Sequence, residues 1–143
     1  MGTYEFLPHT ADEKFLVKAS SLSDAFSTSV SAFYEILLGK NYEIKSSARK
    51  EIVLKAKKIE SLLYDFLNEL VFFFDDADLL LPNVEKLEII QCEDESFSLE
   101  AILSGDKKYD YDLVTEIKNM TYNEMDIKQE LDGSVKMTVV VDI

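Results

Sequence analysis

The segment from about Ile59 to Asp75 carries its apolar side chains in a pattern that a helix packed against a core satisfies. These side chains recur every three to four residues, mostly as adjacent pairs, which places them on one broad stripe of the helix. The stripe consists of Leu62, Leu63, Phe66, Leu67, Leu70, Phe73 and Phe74, and the polar residues that face away from it are Asp65, Asn68, Glu69 and Asp76. Phe72 lies among the polar residues. We expect a neighbouring loop to cover it, the alternative being that it belongs to a docking surface.

A second helix is predicted over Leu22–Leu38, because Ser20 to Ser23 offers hydroxyl groups that cap a helix N-terminus and Gly39 suits its C-terminal end. Most of the remaining chain shows the alternation and the turn residues of strands. The predicted strands follow a short β segment at Tyr4–Leu7 and are Phe15–Ala19, Ile52–Lys57, Leu87–Gln91, Phe97–Leu103, Glu124–Glu130 and Val135–Val141. The last two flank Asp132-Gly133, a dipeptide typical of hairpin turns, and Glu116–Tyr122 fits either a helical turn or a strand.

These elements predict the α+β class, built as a two-layer sandwich with two main helices on one face of a largely antiparallel, or mixed, sheet. The chain has 143 residues, of which 47% are hydrophobic, and it shows no linker, repeat or low-complexity stretch. A chain of this size can bury roughly 70% of its unfolded surface in one core. We therefore expect one domain spanning residues 1–143.

The charge of the chain narrows its partners. Asp and Glu number 28 against 15 Lys and Arg, which gives a net charge of −13. Because a phosphate backbone repels such a chain, we expect no direct nucleic-acid binding, and the acidity serves solubility, a basic protein partner or a cation site. The longest apolar runs fall far short of the ~20 residues that span a bilayer, and the first residues lack a signal peptide. No membrane association and a cytoplasmic location are predicted.

Single copies of histidine and cysteine exclude several kinds of site. His9 is the only histidine and Cys92 the only cysteine, so a multi-histidine metal site, an intrachain disulfide and a thiolate zinc cluster cannot form. We expect Cys92 to be a buried or half-buried apolar residue. The same single copies leave hydrolase functions with little support. No glycine-rich phosphate loop is present either, so nucleotide binding also lacks support.

A candidate metal site lies at the end of the chain. The apolar run Val139–Val141 leads directly into Asp142 and Ile143, which places an acidic side chain beside the terminal carboxylate. Asp12 is a third candidate, and oxygen donors of this kind suit Ca²⁺, Mg²⁺ or Mn²⁺. Without a cation, the clustered charges would raise one another's pKa values or move apart. Spacing alone does not bring residue 12 to residue 142, and as alternatives Asp12 caps a turn and Asp142 is an exposed acid at a strand end.

Four segments, taken in order over the whole length of the chain, resemble the archease family. They are His9-Thr10-Ala11-Asp12, Ser61-Leu62-Leu63-Tyr64-Asp65-Phe66-Leu67-Asn68-Glu69-Leu70, Ile117-Lys118-Asn119-Met120-Thr121-Tyr122 and the final Val141-Asp142-Ile143. Any one of these segments is a weak signal, but their order and the leucine-rich helix make the match specific.

The resemblance implies an accessory protein rather than an enzyme. Archease activates the RtcB-type RNA ligase in tRNA splicing and RNA repair by promoting its guanylylation and multiple turnover. The resemblance also implies a divalent-cation site formed by Asp12, Asp142 and Ile143, which would take Ca²⁺ in vitro, with Mg²⁺ or Mn²⁺ as alternatives. Lys118 matches the lysine implicated in activating the ligase. His9 is expected to orient the site from outside the ligand set, a purely structural role being the alternative.

The chain departs from the usual family pattern at Glu13-Lys14, where an aliphatic and a small residue are common, and at Asn123, where histidine is common. These departures bear on metal preference and on contact with the partner. Two alternative functions stay open at this point: a general chaperone-like binding module, and a stand-alone metal-dependent enzyme that uses the same carboxylates. No oligomeric state is predicted.

Overall fold

The computed structural model describes residues 2–143, whose strands form two antiparallel sheets with two helices against them. The helices are α1 (Leu22–Leu38) and α2 (Ile59–Asp75), and the strands are β1 (Thr3–Leu7), β2 (Glu13–Ala19), β3 (Ala48–Ala56), β4 (Leu79–Gln91), β5 (Phe97–Lys107), β6 (Asn119–Met120), β7 (Asp126–Gln129) and β8 (Val135–Asp142). A short 3₁₀ turn, Lys108–Asp110, follows β5.

The first sheet is organised around β8. Its strand order is β1-β2-β8-β6, and β7 also pairs with β8, so β8 has neighbours on both sides. Its three consecutive valines at 139–141 are fully buried because the strand lies inside the sheet. Phe15 and Val17 of β2 pair with Val139 and Met137 of β8, and all four side chains belong to the core.

The second sheet has the order β3-β5-β4, and its β4 edge is irregular. The register with β5 shifts between Leu80 and Asn83, where Pro82 cannot donate a ladder hydrogen bond. The freed N–H of Leu81 instead donates to the hydroxyl of Tyr34, 2.9 Å away in the core. Burial raises the pKa of Tyr34, so this hydroxyl stays neutral and remains available as an acceptor.

Both helices begin and end where the sequence predicts. The Ser21 hydroxyl caps α1 by accepting a hydrogen bond from the N–H of Asp24 at 3.1 Å, and Gly39 follows the helix at φ +79°. The apolar stripe of α2 is almost entirely buried, with Phe73 partly buried at its border. Each helix contacts strands of both sheets, so the core lies between the helices and the inner faces of the sheets.

The α+β class, the two helices and the antiparallel pairing are confirmed, while the strands form two sheets instead of the one sheet predicted. Cys92 is half-buried, as expected. The expectation that a loop covers Phe72 is wrong, since 50% of its surface is exposed. Within residues 2–143, neither helix combines the length and the apolar content that crossing a membrane requires.

Gly105 on β5 provides a test of the packing at the irregular edge. A Cβ at this position would overlap the carbonyl oxygen of Leu80, so Gly105→Ala forces the two strands apart. We expect the free energy of unfolding, measured by urea denaturation, to fall by about 1–3 kcal/mol, as for other overpacked sites. Ser98→Ala on the same strand adds no atom and should change it by less than about 0.5 kcal/mol. Equal stabilities of the two variants would contradict the packing described.

Candidate functional site

The pairing of β2 with β8 aligns two of the predicted ligands. The register pairs Glu13 with Val141, and one further step places Asp12 opposite Asp142. Because Val139 and Val141 point into the core, strand alternation puts the side chain of Asp142 on the outer face of the sheet. Asp12, Asp142 and Ile143 are each half-buried. Their backbones therefore converge at one end of the first sheet, which we call the acidic corner.

The Ile143 side chain packs against the core, and this contact holds the end of the main chain near Asp142. Among residues 2–143, no cluster of three or more His, Cys, Asp or Glu side chains is arranged to hold a metal ion. The acidic corner offers two such side chains, Asp12 and Asp142, and Ile143 is the third predicted ligand. This donor set consists of oxygen alone, which fits a hard divalent cation and does not fit zinc or copper.

Lys118 reaches the acidic corner from the opposite side of β8. Its N–H donates to the carbonyl of Asp142 at 2.9 Å, and the next residue, Asn119, pairs with Asp142 in the sheet. The preceding Ile117 is buried, whereas the side chain of Lys118 is exposed. The backbone of Lys118 is thus fixed beside Asp142, and its ammonium group is presented to solvent.

The segment that leads to Lys118 is held by side-chain and backbone hydrogen bonds. Asp106, at the end of β5, accepts hydrogen bonds from the hydroxyls of Ser47 and Tyr111, the latter at 2.8 Å. These bonds hold the pKa of Asp106 below its usual range. Further along, the N–H of Val114 donates to the carbonyl of Leu37 at the end of α1, 2.8 Å away. The approach of this segment to β8 is therefore set by contacts to β5 and α1.

Glu124 joins two residues that flank Asp12. His9 Nε2 lies 2.7 Å from Glu124 Oε2, and Lys14 Nζ donates to Glu124 Oε1 at 2.9 Å. Since Lys14 lies on β2 and Glu124 precedes β7, this ion pair spans β8 above the fully buried Val140. Lys14, one of the two residues that depart from the family pattern, is therefore part of a bridge between strands. Within residues 2–143, the side chain of His9 pairs with Glu124 and with neither Asp12 nor Asp142.

Sequence reasoning treated Glu124 only as the start of a strand. Its backbone lies in the left-handed region at φ +57°, and so does that of Ala11 at φ +68° in the loop before Asp12. Hydrogen bonds from Lys14 and then from His9 lower the pKa of Glu124. His9 Nδ1 is buried without a hydrogen-bond partner among the described residues, so the ring is held through Nε2 alone.

An aromatic stack connects α2 to this region. The rings of Tyr64 and Tyr122 lie parallel, with centroids 4.1 Å apart and an interplanar angle of 7°. Tyr122 lies four residues beyond Lys118 and is 52% exposed. The stack therefore ties the segment after β6 to the solvent-facing side of α2.

Residues 4–143 match the model of the Archease protein family. The chain belongs to the archease family. Protein archease of Methanosarcina acetivorans is 33% identical over 142 residues, which cover 98% of this chain and 95% of the relative. The archease-like protein of Drosophila melanogaster is 32% identical over 98% of this chain and 90% of its own length.

Solved structures agree with the archease fold. The solution structure of Methanobacterium thermoautotrophicum protein 1598 superposes with a TM-score of 0.80 at 26% identity, covering 98% of both chains. A Thermotoga maritima crystal structure, described as an archease and possible chaperone, superposes with a TM-score of 0.63 at 17% identity, covering 96% of this chain and 94% of its own. The family expected from four sequence segments is confirmed, while the roles of Asp12, Asp142, Ile143, Lys118 and His9 stay predictions.

The bridge through Glu124 predicts a pH-dependent contribution to stability. Its carboxyl has a lowered pKa in the folded archease chain and an ordinary value of 4.5 when unfolded. The stabilisation is therefore present above pH 4.5 and is lost as the pH falls through the lowered folded value. We expect Glu124→Gln to reduce the melting temperature at pH 7, and the gap to the parent chain to close on acidification.

The matched control for this measurement is Glu93→Gln, an exposed acid in the turn between β4 and β5 with no ion pair among residues 2–143. Its melting temperature should follow that of the parent chain at every pH. A gap for Glu124→Gln that stays constant from pH 7 to pH 3 would contradict the ion-pair origin.

Proposed function

We propose that this archease-family chain is a non-catalytic accessory protein that activates an RtcB-type RNA ligase by promoting its guanylylation and multiple turnover. The observation that carries the proposal is the β2–β8 register, which aligns Asp12 with Asp142 while the backbone of Lys118 is bonded to the far side of β8. The family resemblance assigns Asp12 and Asp142 to the cation site and Lys118 to activation of the ligase. The processes served would be tRNA splicing and RNA repair in the cytoplasm.

Asp12, Asp142 and the main-chain carboxylate of Ile143 would hold the divalent cation. Neither aspartate forms an ion pair within residues 2–143, so their charges are not already neutralised by a lysine or arginine. A bound cation would supply that neutralisation and act as a Lewis acid toward oxygen atoms. Because Ca²⁺ takes about six to eight oxygen ligands, three protein donors leave positions for water or for a partner's oxygens.

The residues next to the acidic corner have separate roles in this proposal. The Asp142 main chain positions Lys118, whose exposed ammonium can donate hydrogen bonds to a phosphate or carboxylate of the partner. The bridge from Lys14 through Glu124 to His9 braces the outer face of β8 next to the aspartates. The net charge of −13 would steer the chain toward a basic ligase surface, an attraction that salt screens over about 8 to 10 Å.

The decisive experiment is a guanylylation assay of the ligase with and without this protein. We expect stimulation by the parent chain and a loss of about tenfold or more with Asp142→Ala, since changes at metal ligands and their supports cost about 10–100-fold. Adding one residue after Ile143 should have a similar effect, because it removes the carboxylate from that position. Full stimulation by both variants would sink the proposed site.

A readout independent of the ligase accompanies this assay. A cation that binds only the folded state raises the melting temperature, and the increase grows with the logarithm of the cation concentration above the dissociation constant. Ca²⁺, Mg²⁺ and Mn²⁺ should each be titrated against the parent chain and against Asp142→Ala, and at least one should stabilise the parent chain selectively. Asp126→Ala, an exposed acid on β7, is the matched control and should retain the effect.

Lys118 is tested by neutralising its charge. We expect Lys118→Met to lower the maximal stimulation of guanylylation by about tenfold or more, as for the loss of one positioned donor to developing charge. Its fold should be unaffected, because the backbone supplies the contact to Asp142. Lys136→Met removes an equally exposed lysine from the other end of β8 and should leave stimulation unchanged. Equal behaviour of the two variants would assign Lys118 no specific part.

A general chaperone is the second candidate, because the Thermotoga maritima relative is described as a possible chaperone. A ligase activator acts on one protein partner, whereas a general chaperone would act on many different proteins. It should suppress the aggregation of unrelated denatured proteins, whereas the activator should not. A stand-alone enzyme would turn over a substrate without any ligase present.

A further inference from the structure

One face of α2 is not explained by the acidic corner. Phe72 is 50% exposed on this helix, and the polar residues around it follow the helical repeat on the side away from the core. We call this surface the acidic face of α2 and define it by Tyr64, Asp65, Asn68, Glu69 and Phe72. Phe72 lies about one helical turn beyond Glu69 and about two turns beyond Asp65, so its ring and the two carboxylates share this face.

The acidic face borders a groove. It has a volume of about 310 Å³, and Leu54 of β3 completes its lining together with Phe72, Asp65, Asn68 and Glu69. Its lining therefore combines one aromatic and one aliphatic side chain with two carboxylates. No basic side chain lines it among the described residues, and within residues 2–143 neither Asp65 nor Glu69 forms an ion pair or a side-chain hydrogen bond.

The acidic face is continuous with the acidic corner. Tyr64 belongs to the face and stacks on Tyr122, which follows Lys118 in the chain. The stack therefore links the acidic face of α2 to the segment that carries Lys118. Aromatic residues that are half exposed, such as Tyr122 and Phe72, are the type enriched among the side chains that dominate binding energy at interfaces.

We propose that the acidic face of α2 docks a basic segment of the same ligase, in which lysine or arginine side chains flank an apolar side chain that packs on Phe72 and Leu54. The proposal rests on the proposed function and adds a binding surface separate from the activating residues. Charge complementarity favours this partner, because the groove is lined by two carboxylates that form no ion pair within residues 2–143 and therefore attract cations. The same carboxylates repel nucleic acid and anionic membranes.

The experiment measures the dissociation constant of the purified ligase for the full-length chain at two salt concentrations. Phe72→Ala removes the aromatic side chain of the groove, and the double variant Asp65→Lys with Glu69→Lys reverses the charge of its two carboxylates. We expect each to weaken binding by about tenfold or more, in the range of interface hot spots. The double variant should also reduce the weakening of binding by added salt that the parent chain shows.

The outer face of the second sheet supplies matched controls. Ile90→Ala removes an apolar side chain that is 59% exposed, and Glu51→Lys with Glu88→Lys changes the net charge by the same amount as the test pair. Both should bind as the parent chain does. If the control pair weakens binding as much as the test pair, overall charge and not the acidic face is responsible, and the proposal is overturned.

The other outcomes separate this proposal from the proposed function. Asp142→Ala should lower guanylylation even at saturating concentrations of the chain, whereas Phe72→Ala should reach full stimulation at a higher concentration. Unchanged binding by Phe72→Ala and by the charge reversal overturns the docking face and leaves the activator function standing. Self-association of the parent chain that Phe72→Ala abolishes would identify a second copy as the occupant and overturn it too. Melting curves verify that each variant is folded.

Discussion

The antiparallel pairing of β2 with β8 is the interaction on which the rest of the structure depends. It joins the first part of the chain to the last and puts Phe15 and Val17 against Val139 and Met137 in the core. Because side chains alternate along a strand, a slip of one residue would turn this apolar set toward solvent. Burial therefore fixes the register, and the register in turn determines which residue faces Asp142. The arrangement of the acidic corner is a by-product of hydrophobic packing.

Charged groups near this pairing divide into two kinds. Glu124 forms an ion pair with Lys14 and lies within hydrogen-bond distance of His9, so these contacts hold the strands and the preceding loop together. Asp12 and Asp142 lack such partners among the described residues. A fold selected only for stability would gain from compensating these acids, and the chain leaves them available to a cation or a partner. This contrast separates the residues that brace β8 from the two aspartates to which the proposal assigns a cation.

The helices could be predicted from local sequence patterns, whereas features that depend on long-range contacts could not. The bounds of α1 and α2 agree with the sequence because periodicity, capping serines and Gly39 are local signals. By contrast, β4 begins at Leu79, well before the predicted Leu87, because Pro82 in a bulge resembles a loop. Glu124 was missed because its bond to His9 joins residues 115 positions apart, for which no local signal exists. The meeting of residues 12 and 142 likewise needed the register, and the family resemblance had implied it.

The central position of β8 has a consequence for the order of folding. Its neighbour β2 and the edge strand β1 are made first and can form a hairpin at once, but the inner edge of β2 has no partner until β8 has been made and has closed a very long loop. Contacts between residues so distant in sequence form slowly. During that interval β2 presents an open edge with apolar side chains, the kind of surface that other chains can pair with. The sheet that carries the acidic corner is therefore the last part of the molecule to mature and the one most exposed to misassembly.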